Sequence, residues 1–154
     1  MKNIPFILKK LSLAVLTCCG ISMAGGQVPV RIMPLGDSIT AGVVTPTVTM
    51  GGYRERLYTL LTSPIEGYAV DFVGSQNYSA AAAEGWVDGD HEGHGAYKIS
   101  GIRSEIPFWL KGIDDPDVIL LHIGTNDLQV DGNVTAAQDQ LRNLLAELSV
   151  ARPH

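Results

Sequence analysis

Two short stretches of this chain set reactive residue types where a strand gives way to a turn. Gly36-Asp37-Ser38-Ile39-Thr40 follows the apolar run 30–35, and Gly124-Thr125-Asn126-Asp127 follows the run 117–123. A serine at such a turn can attack a carbonyl with its hydroxyl while its own N–H faces the oxyanion that forms. An asparagine at a neighbouring strand end can donate its side-chain NH2 to the same oxyanion. Each residue has a plainer use alone, Ser38 as a helix N-cap and Asn126 as a turn residue. Their joint placement is what argues for chemistry.

A third group of chemically capable residues is Asp88, Asp90, His91, Glu92 and His94. Histidines and carboxylates so close together are of the type that grips zinc, or they form a polar loop that bonds its own backbone. No second ligand group occurs elsewhere, so no metal is expected. Asp88-Gly-Asp-His91 also spells an Asp-x-x-His spacing, a minor candidate for an acid–base pair, and His154 is a weaker one. His122 lies within an apolar run and reads as a buried structural histidine. Trp86, Trp109 and Tyr97 are candidates for a sugar subsite, with core packing the stronger reading for Trp109.

The elements that must position these residues follow from periodicity. Residues 30–35 and 69–73 are short apolar runs closed by glycine, and 117–123 is the clearest buried strand. Residues 52–61 put Tyr53, Leu57, Leu60 and Leu61 on one face and charges on the other, the pattern of an amphipathic helix. A long polar loop is expected over 75–97. Ile99, Ile102, Ile106 and Leu110 mark a helix that Pro107 should break in phase. Asp131 or Asn133 caps a last helix running to residue 149.

Alternating strands and helices predict a parallel sheet covered on both faces. In such sheets ligands bind beyond the carboxyl ends of the strands. If the strand order is 2-1-3, the Ser38 and Asn126 motifs face each other across one crevice.

Composition narrows the function further. The chain has 154 residues, 45% hydrophobic and 18% charged, with a formal net charge of −5. Such a chain is one domain, and without a basic cluster after residue 10 it is no partner for nucleic acid. Lys2, Lys9 and Lys10 precede an apolar stretch over 11–21 and then Ser22-Met23-Ala24, which describes a secretory signal peptide over 1–24. Cys18 and Cys19 both fall inside it, so cleavage leaves no cysteine and no disulfide chemistry. Asn77-Tyr-Ser79 and Asn133-Val-Thr135 fit the N-glycosylation pattern and lend secretion slight support.

The blocks RIMPLGDSITAG, GGYRERLY, VDFVGSQ, DHEGHGAYKI and PDVILLHIGTNDL occur in order from about residue 31 onward. They resemble the SGNH (GDSL-type) hydrolases and, more narrowly, carbohydrate esterase family 3, which holds acetyl xylan esterases. The resemblance implies a flavodoxin-like three-layer α/β/α fold with a parallel sheet and a serine ester hydrolase that needs no cofactor. It makes Ser38 the nucleophile. Its oxyanion donors are the Ser38 N–H, the Asn126 side chain and a backbone N–H in the second block. Related sequences often carry glycine just before the aromatic residue of that block. Here Ala96 stands there, with Gly95 one position earlier, and Gly95 is preferred as the donor because an alanine at positive φ is strained.

The family's catalytic Asp-x-x-His lies after two further strands, which places it beyond residue 154. The expectation is a domain over 25–154 that lacks its carboxyl-terminal part and that turns over little alone. The implied partner is an acetylated polysaccharide outside the cell, met by a monomer with no membrane contact after leader cleavage. Two other readings stand beside it: a non-catalytic truncated chain that at most binds carbohydrate, and a flavin or nucleotide binder using the turn 36–42.

Overall fold

The structure, a computed structural model, describes residues 27–45, 48–78, 85 and 88–151. The leader-like segment 1–24, Trp86 and His154 lie outside the described residues. The central strand is β1 (Val30–Gly36), followed by the four-residue helix α1 (Ser38–Ala41) and the antiparallel pair β2 (Val43–Thr45) and β3 (Val48–Thr49). Helix α2 (Tyr53–Leu61) leads to β4 (Val70–Phe72), β5 (Gln76–Asn77) and β6 (Asp90–Gly93). Helix α3 (Ile99–Gly112), β7 (Val118–His122), a π-type turn (Asp127–Asp131) and α4 (Val134–Ala151) complete the order.

β4, β6 and β7 all pair parallel with β1, and β5 pairs antiparallel with β6. β4 takes the first half of one edge of β1, Val30 opposite Val70. β6 takes the second half, Gly36 opposite Gly93. β7 takes the other edge, from Ile32–Val118 to Gly36–His122. The three apolar runs therefore adopt the order 2-1-3. At the start of the sheet, Asp117 is anchored by a backbone bond to the Arg31 carbonyl and by its carboxylate on the Arg31 N–H, each at 2.8 Å.

One face of the sheet carries the main core. Met33 and Leu35 of β1 pack with Ile99, Ile102, Ile106 and Leu110 of α3 and with Leu144 and Leu148 of α4. The other face is smaller, with Phe72 fully buried against Ile32, Leu57 and Tyr58. Among the described residues no helix is long and apolar enough to cross a membrane.

Several expectations are corrected. Pro107 does not break α3, which runs for 14 residues through it. Pro107 sits on the exposed side, where water can take the carbonyl its missing N–H leaves open, while the buried isoleucine stripe holds the helix together. The polar stretch 75–97 contains the strands β5 and β6. His122 is exposed, because β7 ends the sheet among the described residues and the face carrying Val118, Leu120 and His122 is uncovered. On α2 the fully buried residue is Arg54, a charge expected on the outer face. Of the two caps weighed for α4, Asn133 is the one used, its Oδ1 accepting from Ala136 N–H at 3.0 Å.

Candidate active site

The carboxyl end of β1 is flanked on both sides. Gly36 is opposite Gly93 of β6 and His122 of β7, and the Gly36 carbonyl accepts from the His94 N–H at 2.9 Å. Ser38, the turn 94–97 and Asn126 thus leave the sheet from three neighbouring strand ends. Glycine is required where they meet. A Cβ on Gly36 would collide with the His122 carbonyl oxygen and Thr40 Oγ1, and one on Gly93 with the Ala41 backbone nitrogen. α1 therefore rests directly on β6.

Ser38 is not the N-cap of α1. Asp37 is: its carboxylate accepts from Ile39 N–H at 2.9 Å, and its carbonyl accepts from Ala41 N–H at 2.9 Å. A cap of this kind serves the second amide of a helix and leaves the first one open. That first amide belongs to Ser38. The Ser38 side chain is half-buried and its hydroxyl bonds no described residue. The Asp37 Oδ2, fully buried, has no partner among the described residues.

The second strand end makes a four-residue turn, closed by Tyr97 N–H on the His94 carbonyl at 3.3 Å. Ala96 has φ 62°, in the left-handed region that glycine normally fills, and is the lone non-glycine at positive φ among the described residues. Gly95 and Ala96 are both exposed, and neither N–H donates to a described residue. The turn is braced from beneath. His94 Nε2 meets Glu92 Oε1 at 2.5 Å, and its ring stacks on Trp109 with centroids 4.1 Å apart. Glu92, fully buried, also accepts from Ser75 N–H and Oγ–H at 2.7 Å each.

The third strand end supplies Asn126, whose Nδ2 donates to the Tyr97 carbonyl at 2.8 Å. Its neighbour Asp127, nearly buried, accepts from Ile99 N–H at 3.1 and 3.3 Å and so caps α3 from outside that helix. Sequence reasoning gave Asp127 no role. The signal was that Lys98, the residue at the N-cap position of α3, carries no side-chain acceptor, so an acceptor had to come from elsewhere.

The histidine and carboxylate group does not converge. Alternation along β6 sends His91 to the α2 side and Glu92 to the α3 side. Asp88 bonds the Phe72 and Asp90 N–H groups, and burial raises its pKa. His91 Nδ1 accepts from Gly93 N–H at 3.0 Å. Burial first, then the Arg54 charge, lowers the His91 pKa to about 3, so the ring stays neutral. Asp88 and His91 form no acid–base pair. Among the described residues no three histidine, cysteine or carboxylate side chains gather as metal ligands.

A mostly parallel sheet with helices on both faces, a serine beyond its central strand, open amides beside it and an asparagine on the next strand end together make an α/β/α fold with its candidate site at the carboxyl ends of the strands. The chain belongs to the GDSL-like lipase/acylhydrolase family, whose profile matches residues 32–151. It is 33% identical over 153 residues to a multidomain esterase of Ruminococcus flavefaciens, covering 86% of this chain and 18% of that one. A solved family 3 carbohydrate esterase from Clostridium thermocellum superposes with a TM-score of 0.70 at 41% identity, covering 82% of this chain and 58% of the other. An acetyl esterase variant solved with an acetate ion follows at TM-score 0.61 and 27% identity, covering 80% and 57%. The chain thus spans less than two thirds of the length of these relatives, and its fold is that of the SGNH hydrolases.

Proposed function

We propose that this chain carries the nucleophile and oxyanion half of a secreted esterase that removes acetyl groups from plant cell-wall polysaccharide, xylan in particular. Ser38 Oγ attacks the acetyl carbonyl. The oxyanion is met by the Ser38 N–H, by a backbone N–H of the turn after β6 (Gly95 in the first instance) and by the second proton of Asn126 Nδ2. The sugar leaves with a proton, and water releases acetate from the acyl-enzyme. The observation that carries this reading is the register of β1, which puts Gly36 between Gly93 and His122 and so gathers all three strand ends.

Among the described residues no imidazole bonds the Ser38 hydroxyl. A triad enzyme without its base retains on the order of 10³-fold acceleration over water, far below an intact one. The expected behaviour is slow release of acetate from acetylated xylan or p-nitrophenyl acetate, abolished by Ser38→Ala. Release that survives Ser38→Ala contradicts the reading. The free Ser38 hydroxyl also favours a second reading, a chain that binds acetylated polysaccharide without turning it over. Saturable binding with no Ser38-dependent acetate would select it.

A further inference from the structure

The block Gly52-Tyr53-Arg54 packs as a unit against α1. Gly52, at φ 58°, lies where a Cβ would be 3.1 Å from the Gly42 Cα and 3.2 Å from the Ile39 carbonyl oxygen. Tyr53 Oη and Thr40 Oγ1 are 3.2 Å apart. Arg54 reaches furthest: Nε donates to the Thr40 carbonyl at 2.8 Å, one terminal nitrogen to the Ala41 carbonyl at 3.4 Å, and the other to the Gly89 carbonyl at 2.9 Å. Thr40 and Ala41 end the helix that Ser38 begins, and Gly89 immediately precedes β6, which leads into the Gly95–Ala96 turn.

A guanidinium at 0% exposure is a costly way to fill space. Replacing buried charges by apolar groups of similar volume is often neutral or stabilising. What arginine adds is a planar fork with fixed donor directions. Here the fork fixes the last carbonyls of α1 relative to the strand entering the second turn. Gly93 supports α1 from below, so the serine turn is held between a backbone floor and the fork.

We propose that Arg54 is a positioning residue for Ser38, setting the distance between the nucleophile turn and the turn after β6, with Gly52 and Tyr53 completing the clamp. This rests on the assignment of Ser38 as nucleophile. The two ideas separate in one experiment on the full chain, comparing wild type with Arg54→Lys and Arg54→Met. In the first arm, amide hydrogen exchange at Ala41 and Gly42 is measured against the β1–β7 ladder. Both variants should exchange at least tenfold faster at Ala41 and Gly42 with the ladder unchanged, and lysine should not rescue, since its three donors share one nitrogen and cannot span carbonyls that the fork reaches from three. In the second arm, a fluorophosphonate probe labels Ser38. The rate constant should fall about 10²-fold, as for a small misplacement of a reacting group, while the final labelled fraction stays that of wild type.

Unchanged exchange at Ala41 and Gly42, or exchange raised equally across the ladder, overturns the proposal. So does a loss visible only as a smaller labelled fraction, which is what mere destabilisation produces. If wild type is never labelled, the nucleophile assignment fails while the exchange arm still decides whether Arg54 holds the turn. If neither variant folds, exchange of wild type in rising urea decides: the Arg54 Nε–H and the Ala41 and Gly42 amides should share one opening event, and an Arg54 Nε–H that outlasts them tenfold refutes the clamp.

Discussion

Asn126 Nδ2 donates to the Tyr97 carbonyl at 2.8 Å, so the turn after β6 and the turn after β7 are held as one piece. The side-chain amide has two protons, and this bond uses one. Asn126→Asp removes both donors and turns a carboxylate toward the Tyr97 carbonyl. Ser38 labelling by a fluorophosphonate should slow by about 10²–10³-fold, the usual loss of an oxyanion donor. Stability in urea should fall by about 1–3 kcal/mol, the cost of leaving the Tyr97 carbonyl without its donor. A rate loss no larger than the stability loss explains would make Asn126 structural.

Ala96 sits at φ 62° in the turn whose ends are His94 and Tyr97. The left-handed conformation costs an L-residue roughly 1–2 kcal/mol, and glycine escapes it at an entropic cost of about 0.5–1 kcal/mol. Ala96→Gly should therefore stabilise the protein by up to about 1 kcal/mol in equilibrium denaturation, and Ala96→Val should destabilise it. A destabilising Ala96→Gly would contradict the strain.

His91 gives a stability effect with a definite pH window. Its folded pKa of about 3 lies below its ordinary value of 6.5. Above pH 6.5 the ring is neutral folded or unfolded and has no effect. Between 6.5 and 3 the unfolded state takes up a proton that the folded state refuses, so stability declines as pH falls, by up to about 1.4 kcal/mol per unit. His91→Asn keeps an acceptor for the Gly93 N–H and removes the titration. Its unfolding free energy should depend less steeply on pH across that window, and parallel curves for the two proteins would refute the buried neutral ring.

How much of this was legible in the residues depends on what holds each element. The strands β1, β4 and β7 could be read because residues 30–35, 69–73 and 117–123 are apolar runs closed by glycine, whereas the order 2-1-3 was a condition that only the pairing fulfils. β6 could not, because Asp90-His-Glu-Gly93 has none of the composition of a strand. Its buried members are polar and satisfied one by one, Glu92 by Ser75 and His94, and His91 by Gly93 N–H. Arg54 was hidden for the same reason, since helical periodicity assigns a charge to the outside unless carbonyls await it within. The motifs bearing Ser38 and Asn126 were visible, whereas the Asp37 cap and the Asp127 cap on α3 emerge only from the turns themselves.

The outer edge of β7 has no partner strand among the described residues, and Val118 and Leu120 are 44% and 38% exposed. Beside it runs an apolar groove lined by Leu121, Leu145 and Leu148. Open apolar edges invite pairing between molecules, and a lysine blunts them. Leu120→Lys should raise the concentration at which light scattering first reports association, with a stability change within about 0.5 kcal/mol. An unchanged onset would show that this edge does not drive association.

The central claim is spatial, that the Ser38 hydroxyl and the Asn126 amide serve one reacting carbonyl. A crystal structure of the phosphonylated protein tests it most directly. Phosphorus should be bonded to Ser38 Oγ, with the phosphoryl oxygen about 2.7–3.1 Å from both the Ser38 backbone nitrogen and Asn126 Nδ2. An adduct whose oxygen points to solvent, with Asn126 out of reach, would contradict it.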